Sequence, residues 1–193
     1  MMTPEEILSF WLDEVGPDGW YVSDDTLDQT IRDRFKAAWD GAMDGRYGLW
    51  LTYPSGALAY LILTDQFPRN MFRGDPRAFA SDPLAVAVAK QAIHRGWDMK
   101  IDGAARVFFY MPLEHSENLC DQDRAVRLIK ERMPDAGDYL LHARVHREII
   151  RRFGRFPFRN DVLSRCPSSA ESAFVDEGGY GAILRGMQQS EAA

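Results

Sequence analysis

Leu27, Ile31, Phe35, Ala38, Trp39 and Ala42 recur at spacings of three and four residues, and that period constrains what the chain can become. Such a stripe is one face of an α-helix, and it must be covered by another packed element. No stretch of useful length alternates apolar and polar residues with period two, so the partners are expected to be helices as well. Thr3-Pro4-Glu5-Glu6 is a capping box that opens a short helix carrying Ile7, Leu8, Phe10 and Trp11 and stopping by Gly16-Pro17. Ser23 is placed to cap the Leu27 helix and Gly45 to end it. A third helix is expected from Ala57 to Gln66, with Pro68 halting it and leaving the turn Asp65-Gln66-Phe67-Pro68-Arg69-Asn70. Asp75-Pro76 starts a short helical turn, and Asp82-Pro83 caps a helix running to about Arg95. Asp102 is placed to cap the apolar run Ala104 to Met111, a buried helix broken by Pro112. Further helices are expected from about Asn118 to Arg132 and, beyond Pro134, through His142 to Phe153. A second capping box, Ser168-Ser169-Ala170-Glu171, opens a last short helix to Val175. The expectation is one all-α domain over residues 1–193, ordered from about 4 to 184, with a frayed tail at 188–193. It would hold about eight helices joined as antiparallel hairpins.

Charge narrows the function classes. The net charge of −6 argues against a dedicated nucleic-acid binder, but it is unevenly spread. Residues 1–50 hold eleven acids and four bases, whereas residues 124–165 hold eleven bases and five acids. Either the acidic first third packs near the basic last third, or an anionic partner is bound. Arginine supplies 19 of the 23 basic residues, the type suited to planar, bidentate pairing with carboxylates or phosphates. No apolar run is long enough to span a bilayer, and the first residues lack a basic-then-apolar leader. Cys120 and Cys166 lack metal-ligand spacing and fit reduced thiols, so a cytoplasmic protein is expected.

Three constellations could carry chemistry. His142, Val145, His146, Ile149, Ile150 and Phe153 share one helical face, opposite Arg144, Arg147 and Arg151, and Gly154 is placed to close that helix. His142 and His146 have the spacing of two metal ligands on one turn, but Ala143 stands where a metalloprotease motif needs glutamate. Histidines of a packed core are the simpler reading, and neither metal nor cofactor is expected. Glu114-His115-Ser116-Glu117 follows a proline break. It reads either as a general acid/base centre or as a helix start capped by Ser116. Arg69, Arg155 and Arg159 follow helix ends, where they either cap carbonyls and pair with nearby acids or meet to clamp an anion. There is no Gly-rich phosphate loop, Gly-x-Ser-x-Gly elbow or dinucleotide fingerprint.

Phe108 through Glu117, Asp65 through Gly74, and His146 through Asn160, together with the Phe10-Trp11 start, resemble the bacterial family called domain of unknown function 924. The resemblance runs from about residue 4 to 184 and implies tetratricopeptide-like helical hairpins in a right-handed superhelical array, with no assigned reaction. It also implies a polar signature of Asp65, Gln66, Arg69, Asn70, His115, Ser116, Glu117, Asp121, Gln122, His146, Arg155, Arg159 and Asn160. One departure stands out: the family's last motif usually reads Arg-Phe-Pro-His-Arg-Asn, and here Phe158 replaces the histidine.

Three functions follow as expectations. The leading one is a helical-repeat binding module whose polar cleft holds an anionic small molecule or an acidic peptide segment. Its ligand-binding residues would be Arg69, Asn70, His115, His146, Arg155, Arg159 and Asn160. The second is a hydrolase-type enzyme with His115 as base, oriented by Glu117 or Asp65, and with the arginines stabilising developing charge. The third is an internal hydrogen-bond network that pins the helix pairs.

Overall fold

The computed structural model describes residues 2–191 apart from 102, 134 and 136. Among the described residues there is no strand, and no helix is long and apolar enough to cross a membrane. The chain divides into two compact units, Met1–Pro112 and Leu113–Ala193.

In the first unit the Thr3–Glu6 capping box is formed, with bonds of 2.7 and 3.3 Å. It opens helix α1 (Pro4–Leu8), which continues as a π-helical segment, Ser9–Val15. Helix α2 (Asp25–Met43) begins one residue later than predicted, because the Asp24 carboxylate, not the Ser23 hydroxyl, takes the amides of Thr26 and Leu27. Its stripe of Ile31, Phe35, Ala38, Trp39 and Ala42 is buried as the spacing requires.

Pro68 does not halt a helix. Helix α3 (Pro54–Leu61) widens into a π-helical stretch, Ile62–Gln66, and resumes as α4 (Phe67–Met71) with Pro68 in its first turn. There the Phe67 amide reaches back five residues to the Ile62 carbonyl. Proline has no N–H for the carbonyl four residues before it, that of Thr64. This buried carbonyl accepts instead from Ser81 Oγ at 2.5 Å, and Ser81 Oγ in turn accepts from Trp39 Nε1 at 3.0 Å. The relay ties α2 and the π-helical stretch to the N-cap of helix α5 (Asp82–His94). A π-turn holds more residues than an α-turn and so rotates the face that follows it. Phe67 lands in the core, with ring centroids 4.8 Å from Phe35 and 5.4 Å from Trp11.

Asp75 caps the short 3-10 turn Pro76–Phe79 as predicted. The apolar run beyond position 102 is buried and helical, but it forms a 3-10 helix, Gly103–Phe109. The cap expected at Asp102 and the break expected at Pro134 lie outside the described residues. Pro112 again sits inside a first turn, that of helix α6 (Met111–His115).

In the second unit, helix α7 (Leu119–Arg132) is capped by Asn118 rather than Ser116, which donates to Asp121 at 2.9 Å instead. Helix α8 (Gly137–Phe153) buries Val145, Ile149 and Ile150, and Gly154, at φ 70°, closes it. The Ser168–Glu171 capping box opens α9 (Ser169–Asp176). Helix α10 (Gly179–Glu191) follows, running through the stretch from 188 to 191 that the polar sequence suggests is frayed. Tyr180, Ile183, Leu184 and Met187 of α10 pack on the core of Phe156 and Phe174. The described residues therefore form ten α-helices instead of about eight. Pro68 and Pro112, expected as breaks, lie in the first turns of α4 and α6, and α10 lies beyond the last expected helix, which ends at Val175.

Ser81→Ala removes both the donor to Thr64 and the acceptor for Trp39, leaving two buried groups unpaired. The expected cost is about 2–4 kcal/mol by urea denaturation. A loss below about 0.5 kcal/mol would show that the relay contributes nothing.

Candidate functional site

The motif around Asp65 is closed on itself. Arg69, one helical turn on, donates to the Asp65 carbonyl and pairs with the carboxylates of Asp65 at 3.5 Å and Asp82 at 3.1 Å. Burial works against the guanidinium charge, but the two carboxylates outweigh it and hold the pKa above its ordinary value. Asn70 is buried, accepts from Gln66 at 3.1 Å and donates to Asp28 at 2.8 Å. Arg73 adds two bonds to the same Asp28, at 2.8 and 3.1 Å. Asp65, Arg69 and Asn70 thus lie together in the first unit as a helix-joining network.

Most signature residues of the second unit are engaged in the same way. Glu117 accepts from the Phe156 amide at 2.8 Å and from Arg165 at 2.6 and 3.1 Å. Burial raises the pKa of Glu117, and these bonds outweigh that and hold it low. Arg165 also donates to Asn160 Oδ1 at 3.1 Å. Arg155 makes a bidentate pair with Glu171, at 2.5 and 2.7 Å, and reaches the Cys166 carbonyl at 2.9 Å. Glu171 serves the α9 capping box at the same time, and the Arg155 bond together with the Ser168 amide holds it well below the usual carboxylate range. Arg159 is buried, donates to the His115 carbonyl at 3.2 Å and lies over the Phe156 ring at 4.3 Å. Glu117 is therefore occupied by Arg165 and Phe156, and the carboxylate that meets an imidazole is Glu114.

Glu114, on α6, is buried at 5% exposure, and its Oε2 lies 3.6 Å from His146 Nδ1. His146 is half-buried on α8, and its Nδ1 lies 3.0 Å from the His142 carbonyl. A carbonyl only accepts, so Nδ1 carries the proton, and Nε2 has no hydrogen-bond partner among the described residues. The His115 ring stands edge-on to His146 with centroids 6.0 Å apart, and Tyr180 and Phe156 flank it at 5.1 and 5.6 Å. Tyr180 Oη is 2.5 Å from His142 Nδ1. Burial, then the Glu114 charge, raises the phenol pKa, so the hydroxyl keeps its proton and donates it to His142. Burial, then the neighbouring His146, lowers the His142 pKa, in keeping with a neutral ring. The two histidines one turn apart thus hold opposite tautomers.

Of the sequence candidates, His115 and His146 come together, whereas Glu117, Arg155 and Asn160 engage Arg165 or Glu171 instead of this cluster. Glu114, His142 and Tyr180 complete it. Glu114 adjoins His115 in sequence, whereas Tyr180 begins the apolar stripe of α10, a helix that lies beyond the last expected one. Phe158, which departs from the family motif, is 45% exposed on the turn after α8. Among the described residues, no group of three or more His, Cys, Asp or Glu is placed to hold a metal ion.

A model of the family described as bacterial protein of unknown function (DUF924) matches residues 7–179. A solved structure of a protein of unknown function from Agrobacterium tumefaciens is 42% identical in sequence, with a TM-score of 0.85. The match covers 91% of this chain and 97% of that one. No curated protein matches the chain.

Folding holds His142 below its ordinary pKa of 6.5, so as pH falls the unfolded chain takes up this proton first. The contribution of His142 is complete above about pH 6.5 and is lost as pH falls through the folded pKa. Unfolding midpoints measured from about pH 8 to 5 should decline less steeply below 6.5 in His142→Gln than in the wild type. Parallel curves would contradict the assignment.

Proposed function

The chain belongs to the DUF924 family of bacterial proteins of unknown function, and from its own geometry we propose that the second unit carries a general acid–base centre. His146 is the base. The observation that carries this reading is the tautomer: Nδ1–H is directed at the His142 carbonyl, which leaves the Nε2 lone pair as the atom that can take a proton. Glu114, 3.6 Å from Nδ1, stabilises the imidazolium that forms when it does so. This is the base-plus-orienting-carboxylate arrangement by which a hydroxyl or a water is activated in hydrolytic chemistry. His115, facing His146 at 6.0 Å, is the second titratable group and the candidate acid, and Arg159 fixes its backbone through the carbonyl.

This proposal is the acid–base expectation with two exchanges of role: Glu114 takes the place of Glu117 or Asp65, and His146 takes that of His115. The anion clamp built from Arg69, Arg155 and Arg159 receives less support. Arg69 and Arg155 already hold carboxylates, and a ligand at either would first have to displace Asp82 or Glu171.

The test is a panel of activated carboxylic esters, anilides and phosphoesters assayed with wild type, His146→Ala and Glu114→Gln, each first shown to melt as a folded protein. The wild type should turn over one class, and His146→Ala should lose about 10²–10⁴-fold in kcat/KM. Glu114→Gln should give a smaller loss. Silence across the panel, or equal rates in wild type and His146→Ala, would overturn the proposal.

A further inference from the structure

The first unit contains a cavity of about 290 Å³ between α2 and the segment from 71 to 77, and basic side chains dominate its wall. Arg32 and Lys36 come from one turn of α2, Arg73 from the turn after α4, and Arg77 from the 3-10 turn Pro76–Phe79. The apolar floor is Met71 and Phe72, both buried. None of the four bases belongs to the polar signature of the sequence.

The acids around this cavity pair with three of its four bases and fix their orientation. Asp28 takes Nε and one Nη2 proton of Arg73, at 2.8 and 3.1 Å. Asp75 takes the same two groups of Arg77, at 3.0 and 2.8 Å, and the Arg77 guanidinium also lies 4.5 Å from the Phe72 ring centroid. Each pair fixes its guanidinium plane and leaves Nη1 with no protein partner among the described residues. Lys36 gives one of its three N–H bonds to Asp40, at 2.8 Å. Arg32 is turned onto neutral acceptors, the Met71 carbonyl at 2.9 and 2.6 Å and Gln29 at 3.2 Å, and it bonds no carboxylate among the described residues. The result is several pre-oriented donors around one small space, with Arg32 the base that is turned away from carboxylates. A cavity at the lower edge of the ligand-pocket range suits a compact group better than a dinucleotide.

We propose that this cavity binds a small, multiply charged oxyanion of the phosphate class, held by Arg32, Lys36, Arg73 and Arg77. Such an anion presents several acceptor oxygens to donors that converge from two segments. The proposal stands on residues separate from the acid–base centre and does not depend on it.

Titration calorimetry with inorganic pyrophosphate at low ionic strength tests it on the full chain. Lys36 and Arg77 pair with solvent-accessible acids, so Lys36→Gln and Arg77→Gln should leave the melting point unchanged. The wild type should bind saturably, each variant at least tenfold more weakly, and the double variant not measurably. A wild type that fails to saturate by about 5 mM, or variants that bind as tightly as the wild type, would overturn the proposal.

Discussion

A carboxylate withdrawn from water must be met by a cation or by several donors, and at the helix ends of this chain arginine meets that demand. Arg73 with Asp28 joins the end of α4 to α2, Arg155 with Glu171 joins the end of α8 to the start of α9, and Arg165 with Glu117 joins the turn after α8 to the loop before α7. These are the places where helices leave backbone groups unpaired, so one guanidinium commonly serves a carboxylate and a carbonyl together. Fixed charge at these sites sets the helix ends. Glu114 is met differently, by the imidazole of His146, whose Nδ1 lies 3.6 Å from its Oε2. The same physical demand thus produces guanidinium joints at the helix ends and a carboxylate–imidazole contact at Glu114.

The first unit depends as much on a missing donor. Pro68 offers nothing to the Thr64 carbonyl, and the chain accommodates it by a π-helical turn and a side-chain donor from Ser81. Because Ser81 also receives the Trp39 indole, this local defect fixes the placement of α2 relative to α5. It also brings Phe67 among Phe10, Trp11 and Phe35.

Where local chemistry decides the structure, the sequence was readable. The α2 stripe, both capping boxes and the Gly154 stop depend on residues within a turn or two of one another, and each is found where the spacing puts it. Pro68 and Pro112 misled because proline is tolerated in a first turn, and only the path of the chain shows whether a helix is ending or beginning. The α10 stripe has three- and four-residue spacing, but its cover, Phe156 and Phe174, lies in other segments, and no helix was expected there. The site was legible as a list of polar residues and not as pairs. Glu117 and Arg165 are 48 positions apart, and nothing local reveals that Arg165 would claim Glu117 and leave Glu114 to the histidine.

The central claim is that His146 presents an unprotonated Nε2, held so by its Nδ1–H. Long-range 1H–15N correlation of the imidazole rings at slightly alkaline pH reads this directly. The account predicts the Nδ1–H tautomer at His146 and the Nε2–H tautomer at His142. Protonation of His146 at Nε2 would contradict it, because the atom assigned as the base would then be a donor.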